Sequence, residues 1–555
     1  MTAVVDKGMV PDWDRAPLRS SDPSVADRTD RPAGLWPRRI WLLALAGAAT
    51  WALLDAAWAE GSAFNPSGGT ILGEFASAAA HPDLSRQFLG AVLPSLGTTL
   101  AYAVLGTSLA LITGVIGGAV LSNTLWQRDP LDDRPARGGR PALLAWRAGA
   151  TGARGVHEAV WALVLLSVLG RDPWVAVLAI GIPFGAITAK VVSELIDEAE
   201  AASSAVRRLR TTGGRPVPAL VYGLGPSLLP DLVSYGSYRF ECALRSSVVL
   251  GAIGAGGIGF ELLQSFQSLR YEEIWTLVYV LCGLAVLVDQ GSARLRLRRC
   301  RHPGRLGIAA IVALSISAAY AGLRLRSLTG ARPRELATEL ASRAWPPRLP
   351  AGGWARLLDA FVDTLQMSMI AIAIAVSLAT PLAFLAARVD DGSRASRYAG
   401  RAARAGLVLL RSIPPILWAF LVLLVVFPGP LPGGIALGLY TAGVLGRLNA
   451  EVVENADPGP ARAVRGIGAG AVTAFAYGTV PVVAPRMAAL SLYRWEVVVR
   501  DTVVVGLVGA SGLGRLLAEQ SAALDESRMA TTILALIAAA FLIDGVSARV
   551  RAVLR

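Results

Sequence analysis

The chain has 555 residues, of which 54% are hydrophobic and only 17% charged, with a mean hydropathy of +0.52. A soluble domain of this length does not carry so apolar a composition, so lipid is required as a solvent. The net charge of +13 would suit a nucleic-acid partner, but the basic residues stand in short loops beside apolar runs; that is a membrane topology signal, and no nucleic acid is expected.

Residues 1–36 are rich in Asp, Arg, Pro and Ser without hydrophobic periodicity, which predicts a disordered cytoplasmic tail ahead of a retained helix. Apolar runs near the ~20 residues that cross a bilayer as a helix follow at 39–58, 93–121, 156–170, 173–192, 228–255 and 274–290. A second series lies at 305–323, 362–387, 406–427, 433–453, 479–510 and 530–546. The ~10-residue alternating segments of a membrane barrel are absent. The expected fold is all-α, a polytopic transmembrane helical bundle of about 12 spans (10–12).

Cytoplasmic loops carry the basic excess in such proteins. Arg38 and Arg39 therefore place the N-terminus inside. The inner loops then hold Arg128, Arg134, Arg137, Arg140 and Arg147; Arg207, Arg208, Arg210 and Arg215; Arg294 to Arg305; and Arg388 to Arg404. Arg549, Arg551 and Arg555 put the C-terminus inside as well. One loop dissents: 324–360 falls outside yet contains Arg324, Arg326, Arg332, Arg334, Arg343, Arg348 and Arg356.

The chain repeats itself. Tyr238-Arg239-Phe240-Glu241 returns 255 positions later as Tyr493-Arg494-Trp495-Glu496. In the same register Arg245 matches Arg500, Gly251 matches Gly506, Gly254 matches Gly509, Gly257 and Gly259 match Gly512 and Gly514, and Asp289 matches Asp544. Upstream the offset is 257, pairing Arg154 with Arg411, Trp161 with Trp418, Gly181 with Gly438, and Glu194 with Glu451. Each copy has the same inferred orientation, so the units, 37–300 and 301–555, are parallel repeats about an axis along the membrane normal, where a pathway would lie.

Between the fourth and fifth spans of each half lies a matched cytoplasmic loop. Arg207, Arg208 and Arg210 lead to Gly213 and Pro226; Arg462, Ala463 and Arg465 lead to Gly468 and Pro481. This punctuation resembles the EAA loop of ABC importer permeases, in which a short helix, a glycine turn and a second helix closed by proline dock on an ATPase subunit. Ser246 through Leu263, with Gly254, Gly256, Gly257 and Gly259, is similar to the glycine-rich stretch of the phosphonate/phosphite/phosphate-type permeases. So is Arg411-Ser412-Ile413-Pro414-Pro415 with Thr441 to Gly446 and Asp457 to Pro460 in the other half. The chain departs from the family where Arg207 and Arg462 replace the glutamate of the EAA motif, and where Val156-His157-Glu158 stands opposite Ile413-Pro414-Pro415.

The resemblance implies two fused permease units in a bacterial cytoplasmic (inner) membrane. They would import a small phosphorus oxyanion (phosphonate, phosphite or phosphate) with an extracytoplasmic substrate-binding protein and two copies of a cytoplasmic ABC ATPase. ATP and Mg would be held by those partners, because no Gly-x-x-x-x-Gly-Lys-Ser/Thr loop occurs here and neither lysine, Lys7 nor Lys190, has the glycines to build one. His81, His157 and His302 are scattered, Cys242, Cys282 and Cys300 have neither metal nor disulfide spacing, and no nucleophile sits in a catalytic motif. No enzyme activity, cofactor or metal is expected in this chain.

The pathway or gate candidates are Arg239, Glu241, Arg245, Gly254, Gly256, Gly257 and Gly259 in the first copy, and Arg494, Glu496, Arg500, Gly509, Gly512 and Gly514 in the second. The glycines suit either close helix packing or a break at a gate. The arginines and glutamates either neutralise one another as structural ion pairs, or Arg245 and Arg500 lend the pathway a field that favours an oxyanion. Lys190 with Glu194, and Arg447 with Glu451, have the i,i+4 spacing of a helical ion pair. The alternatives are an ion-driven secondary transporter, which would need membrane-buried acids, or an ABC importer permease for another small solute.

Overall fold

The computed structural model describes residues 35–58, 64–126, 140–297, 303–387 and 394–554. The predicted tail up to residue 34, and Arg128, Arg134, Arg137, Cys300, His302, Arg388 and Arg555, lie outside the described residues. Among the described residues the regular structure is helical, apart from a single antiparallel bridge between Phe64 and Val426.

Among the described residues, five helices are long and apolar enough to cross a bilayer unbroken: Arg86–Leu121, Trp174–Ser203, Tyr271–Ser292, Gly353–Ala386 and Glu526–Val553. Four further candidates are bent pairs, two in each half. Two shorter apolar helices, Leu43–Ala56 and Gly304–Tyr320, and the largely buried Pro430–Glu454 complete the predicted order of elements.

Two predicted spans are corrected. The runs at 156–170 and 406–427 are not straight crossings: Pro141–Gly155 turns 91° into Glu158–Leu169, and Ser396–Ser412 turns 89° into Pro415–Leu423. The apolar arms have 12 and nine residues, about 18 and 14 Å of helix, well short of a ~30 Å hydrocarbon core. The causes are local and differ between copies. Consecutive prolines hold Pro414 extended (φ −59°, ψ 150°) before Pro415 opens the next helix. In the first copy His157 takes the same extended geometry and its Nδ1 accepts from the N–H of Ala159 at 3.1 Å, capping the new helix.

Within each unit one long parallel pair forms the spine, Arg86–Leu121 against Trp174–Ser203 and Gly353–Ala386 against Pro430–Glu454. Glycines let the backbones close: a Cβ on Gly106 would meet Ile180, and one on Gly434 would meet Ile370. The first helix of each half crosses to the other. Leu35–Trp58 packs on Gly353–Ala386, where Gln366 Nε2 donates to Asp55 at 2.7 Å. Pro303–Tyr320 packs on Arg86–Leu121, with Tyr320 Oη donating to the Pro94 carbonyl at 3.0 Å.

The dissenting basic stretch 324–360 carries the helices Arg326–Thr329 and Ala331–Ala344. The second rests on Glu158–Leu169 of one half and Glu526–Leu554 of the other. Part of its charge is answered locally, Arg343 by Glu339 and Glu526, and Arg356 by Glu519.

Candidate functional site

The predicted coupling residues form two exposed turns. Arg207, Arg208 and Arg210 lie on the short helix Ala205–Thr211, and Arg462, Ala463 and Arg465 on Gly459–Gly466. Gly213 and Gly468 follow with φ of +92° and +86°, a left-handed bend that only glycine adopts cheaply. Pro226 and Pro481 do not close a second helix, as the spacing suggested. Pro226 lies inside Pro216–Leu250, and Pro481 inside a helical run from Ala471 to Leu507 whose missing N–H is accommodated by a wider turn at Phe475–Thr479. Each coupling turn is thus continuous with a membrane helix.

Sequence reasoning missed two features here. The carboxylate of Glu200, almost fully buried, accepts from the backbone N–H of Val206 at 2.8 Å and Arg207 at 2.9 Å, fixing the start of the first short helix. Its repeat partner Asp457 accepts from Gly459 N at 2.9 Å. An acid therefore caps each short helix even though arginine occupies the motif position. Glu200→Ala leaves two donors unsatisfied and is expected to cost about 1–2 kcal/mol, with fraying of residues 205–211 measurable by amide hydrogen exchange. The second feature is a matched apolar face: Val217 and Tyr222 recur at the same offset as Val472 and Tyr477, and the tyrosines are 79% and 76% exposed. Equal exposure at repeated positions was a signal available only after folding.

The pathway candidates lie at the other end of the same helices, about 28 Å from Pro226 to Arg245 at 1.5 Å per residue. Beyond Arg245 and Arg500 both units join in one apolar seam, where Val160 and Val249 meet Ile416, Phe420, Val503 and Val504. The rings of Phe266 and Phe420 stack across it at 4.1 Å. The glycine-rich stretches bend each chain over this seam, by 59° before Ile258 and 44° before Gly512. Gly254 and Gly256 (φ +123° and +89°) and Gly509 (φ +114°) supply the bend. Gly257 and Gly512 pass close to Thr99 and Thr364, whose hydroxyls accept from Ile258 N and Leu513 N at 2.9 Å each. Gly259 and Gly514 lie against the carbonyls of Val248 and Val503.

Two small clefts flank the seam. Each is lined by both units: Val156, His157 and Val160 with Arg500 in one, Arg245 and Asp289 with Arg411 in the other. Their chemistry has diverged. At the first, His157 Nε2 is 3.5 Å from the carboxylates of Glu158 and Asp501, and Arg500 Nη1 donates to the Arg154 carbonyl at 3.0 Å. At the second, Asp289 Oδ1 joins Arg411 at 3.2 Å and Arg447 at 3.0 Å across the unit boundary.

The predicted helical pairs are present, Lys190 with Glu194 at 3.8 Å and Arg447 with Glu451 at 3.1 Å. The reading of the other arginines as structural ion pairs is corrected. Glu496 pairs with Arg551, and Glu241 keeps one buried carboxylate oxygen that has no hydrogen-bond partner among the described residues. Among the described residues, no ion pair joins Arg239, Arg245, Arg494 or Arg500 to a carboxylate, although Arg239 and Arg494 are only 8% and 9% exposed. A neighbour in sequence does not pair on a helix unless it shares a face. Among the described residues no His, Cys, Asp and Glu group could hold a metal ion.

A paired helical bundle with a repeated exposed turn and a seam between its halves is the architecture expected of a membrane transport component. Residues 379–554 match the family of binding-protein-dependent transport system inner membrane components. The chain is 29% identical to a phosphate-import permease protein of Mycolicibacterium smegmatis, over 82% of this chain and 84% of that one. It is 34% identical to a phosphite transport system permease protein of Stutzerimonas stutzeri, over 38% of this chain and 75% of that one. No solved structure matches the chain. The chain belongs to the phosphonate/phosphite/phosphate-type ABC transporter permeases. It is a multi-pass membrane permease subunit, of a family that works with ABC ATPase and substrate-binding partners.

Proposed function

We propose that this chain is the permease through which an ATP-driven importer moves a small phosphorus oxyanion, phosphate, phosphite or a phosphonate, into the cell by alternating access. The observation that carries this reading is the set of arginines on the helices flanking the seam, two per unit, without a carboxylate partner among the described residues. Arginine stays charged at any physiological pH, and an unanswered cation within a membrane bundle favours a passing anion. The transport names of the relatives agree with that chemistry.

On this reading two ATPase subunits, holding ATP and Mg, act on the turns around 203–226 and 458–481. Because each turn is continuous with a seam helix, closure of the ATPases tilts that helix and opens the seam on alternate sides. Arg245, Arg494 and Arg500 then form the cationic lining, Arg239 adds its charge from behind its enclosing rings, and the bends at Gly254 to Gly259 and Gly509 to Gly514 act as the gate. Both termini lie in the cytoplasm, and a binding protein delivers the anion to the opposite face.

The test is co-reconstitution of the chain with its ATPase and binding protein in vesicles, following uptake of labelled phosphate, phosphite and methylphosphonate. ATP-dependent uptake of at least one is expected. Arg245→Gln with Arg500→Gln is expected to reduce it about tenfold or more while the complex still assembles, as loss of charge-assisted contacts implies. Undiminished uptake in that variant removes the arginine argument. Uptake by the chain alone under an ion gradient replaces the ABC reading with a secondary transporter.

A further inference from the structure

The two units answer one buried arginine differently. In the first, the guanidinium of Arg239 is enclosed by rings, its Cζ 4.9 Å from the centroid of Tyr235, 5.3 Å from Phe184 and 5.8 Å from Tyr238. Its Nε also donates to the Tyr235 hydroxyl at 2.6 Å. Cation–π contact and this bond stabilise the charge without a counterion. In the second unit Arg494 is equally buried, but among the described residues its Nε and Nη2 have no hydrogen-bond partner.

The repeat explains why. At the offsets that align the units, Leu490 stands where Tyr235 does and Thr441 where Phe184 does. Two of the three rings are gone, and the replacements are smaller. Thr441 is fully buried, and among the described residues its Oγ1 likewise has no hydrogen-bond partner. Their helices, Pro430–Glu454 and Val480–Leu507, pack directly on each other. Thr441 occupies the repeat position of Phe184, which lies against Arg239; a buried guanidinium edge and a buried hydroxyl without partners among the described residues are each costly, and both are donor types that a tetrahedral oxyanion satisfies.

We propose that Arg494 and Thr441 form a binding site for a small tetrahedral oxyanion, present in the second unit alone, with Arg239 its ring-capped, non-binding counterpart. The proposal rests on the reading of the chain as an oxyanion permease and adds where the anion pauses. Transport is then asymmetric although the units are repeats.

The test is direct binding of labelled inorganic phosphate, phosphite and methylphosphonate to the full chain in nanodiscs, without ATPase or binding protein. Arg494→Gln is expected to weaken binding about tenfold or more. The double variant Thr441→Phe, Leu490→Tyr rebuilds the ring enclosure around Arg494, keeps its charge and is expected to weaken binding equally while melting near the unmodified chain. Should Arg494→Gln fail to fold, the double variant decides. Binding within twofold of the unmodified chain in the double variant overturns the site. So does absence of binding in an unmodified chain that still supports ATP-driven uptake with its partners; absence of that uptake as well fails the permease reading itself.

Discussion

Gly259→Ala and Gly514→Ala are each expected to lower the stability of the purified chain by about 3 kcal/mol, the upper range for forcing atoms into a packed interior. At Gly259 a Cβ would fall on the carbonyl oxygen of Val248, and at Gly514 it would lie 2.6 Å from that of Val503. Backbone cannot yield as a flexible side chain does, so the bent arm must lift from the helix that precedes it. That arm also covers the apolar seam, so the variants are expected to leak small anions without ATP if they still insert. Gly545→Ala is the control, because a Cβ there meets nothing within 4 Å. Thermal unfolding in detergent checks the ordering; co-melting of all three with the unmodified chain would refute the packing argument.

Asp289→Ala is expected to destabilise the join between units by about 2 kcal/mol. Removing one partner from a buried ion pair costs about 3–5 kcal/mol, and the partial exposure of Asp289 (31%) and Arg447 (37%) reduces that through solvent screening. The loss strands Arg411, whose side chain is 10% exposed, between two units. Asp544→Ala, at the repeat position, is expected to cost less, since among the described residues no ion pair joins Asp544 to a cation. A double-mutant cycle with Arg411→Gln isolates the coupling. Equal effects at 289 and 544 would mean that the pairing does not stabilise the join.

Some features were legible because they are local. The helices at 173–192, 362–387 and 530–546 follow from apolar length alone and are found with extended ends. The left-handed turns at Gly213 and Gly468 follow from glycine between two short helical runs. Local chemistry also misled. The apolar runs at 156–170 and 406–427 read as spans because periodicity does not register a 90° turn, although the Pro414-Pro415 pair was a usable warning. Pro226 and Pro481 read as helix ends, yet proline within a long membrane helix is tolerated when neighbouring helices and a wider turn absorb the lost bond. Glu200 lay outside the expected motif position, and only the fold brings it onto the N–H groups of residues 206 and 207.

By itself the sequence determined that the chain lives in lipid, that it is helical, that it repeats itself, and where the exposed glycine turns at Gly213 and Gly468 fall. Those properties depend on composition, helix length and register, all of which are written along a single strand of text. Only the tertiary structure decided that the first helices cross between units, that Asp289 serves Arg411 and Arg447, and that Arg239 and Arg494 lack the neighbouring glutamates as partners. Charge pairing and ring enclosure depend on distances of a few ångströms between residues far apart in the chain, and a repeat that keeps the arginine can still change everything that surrounds it.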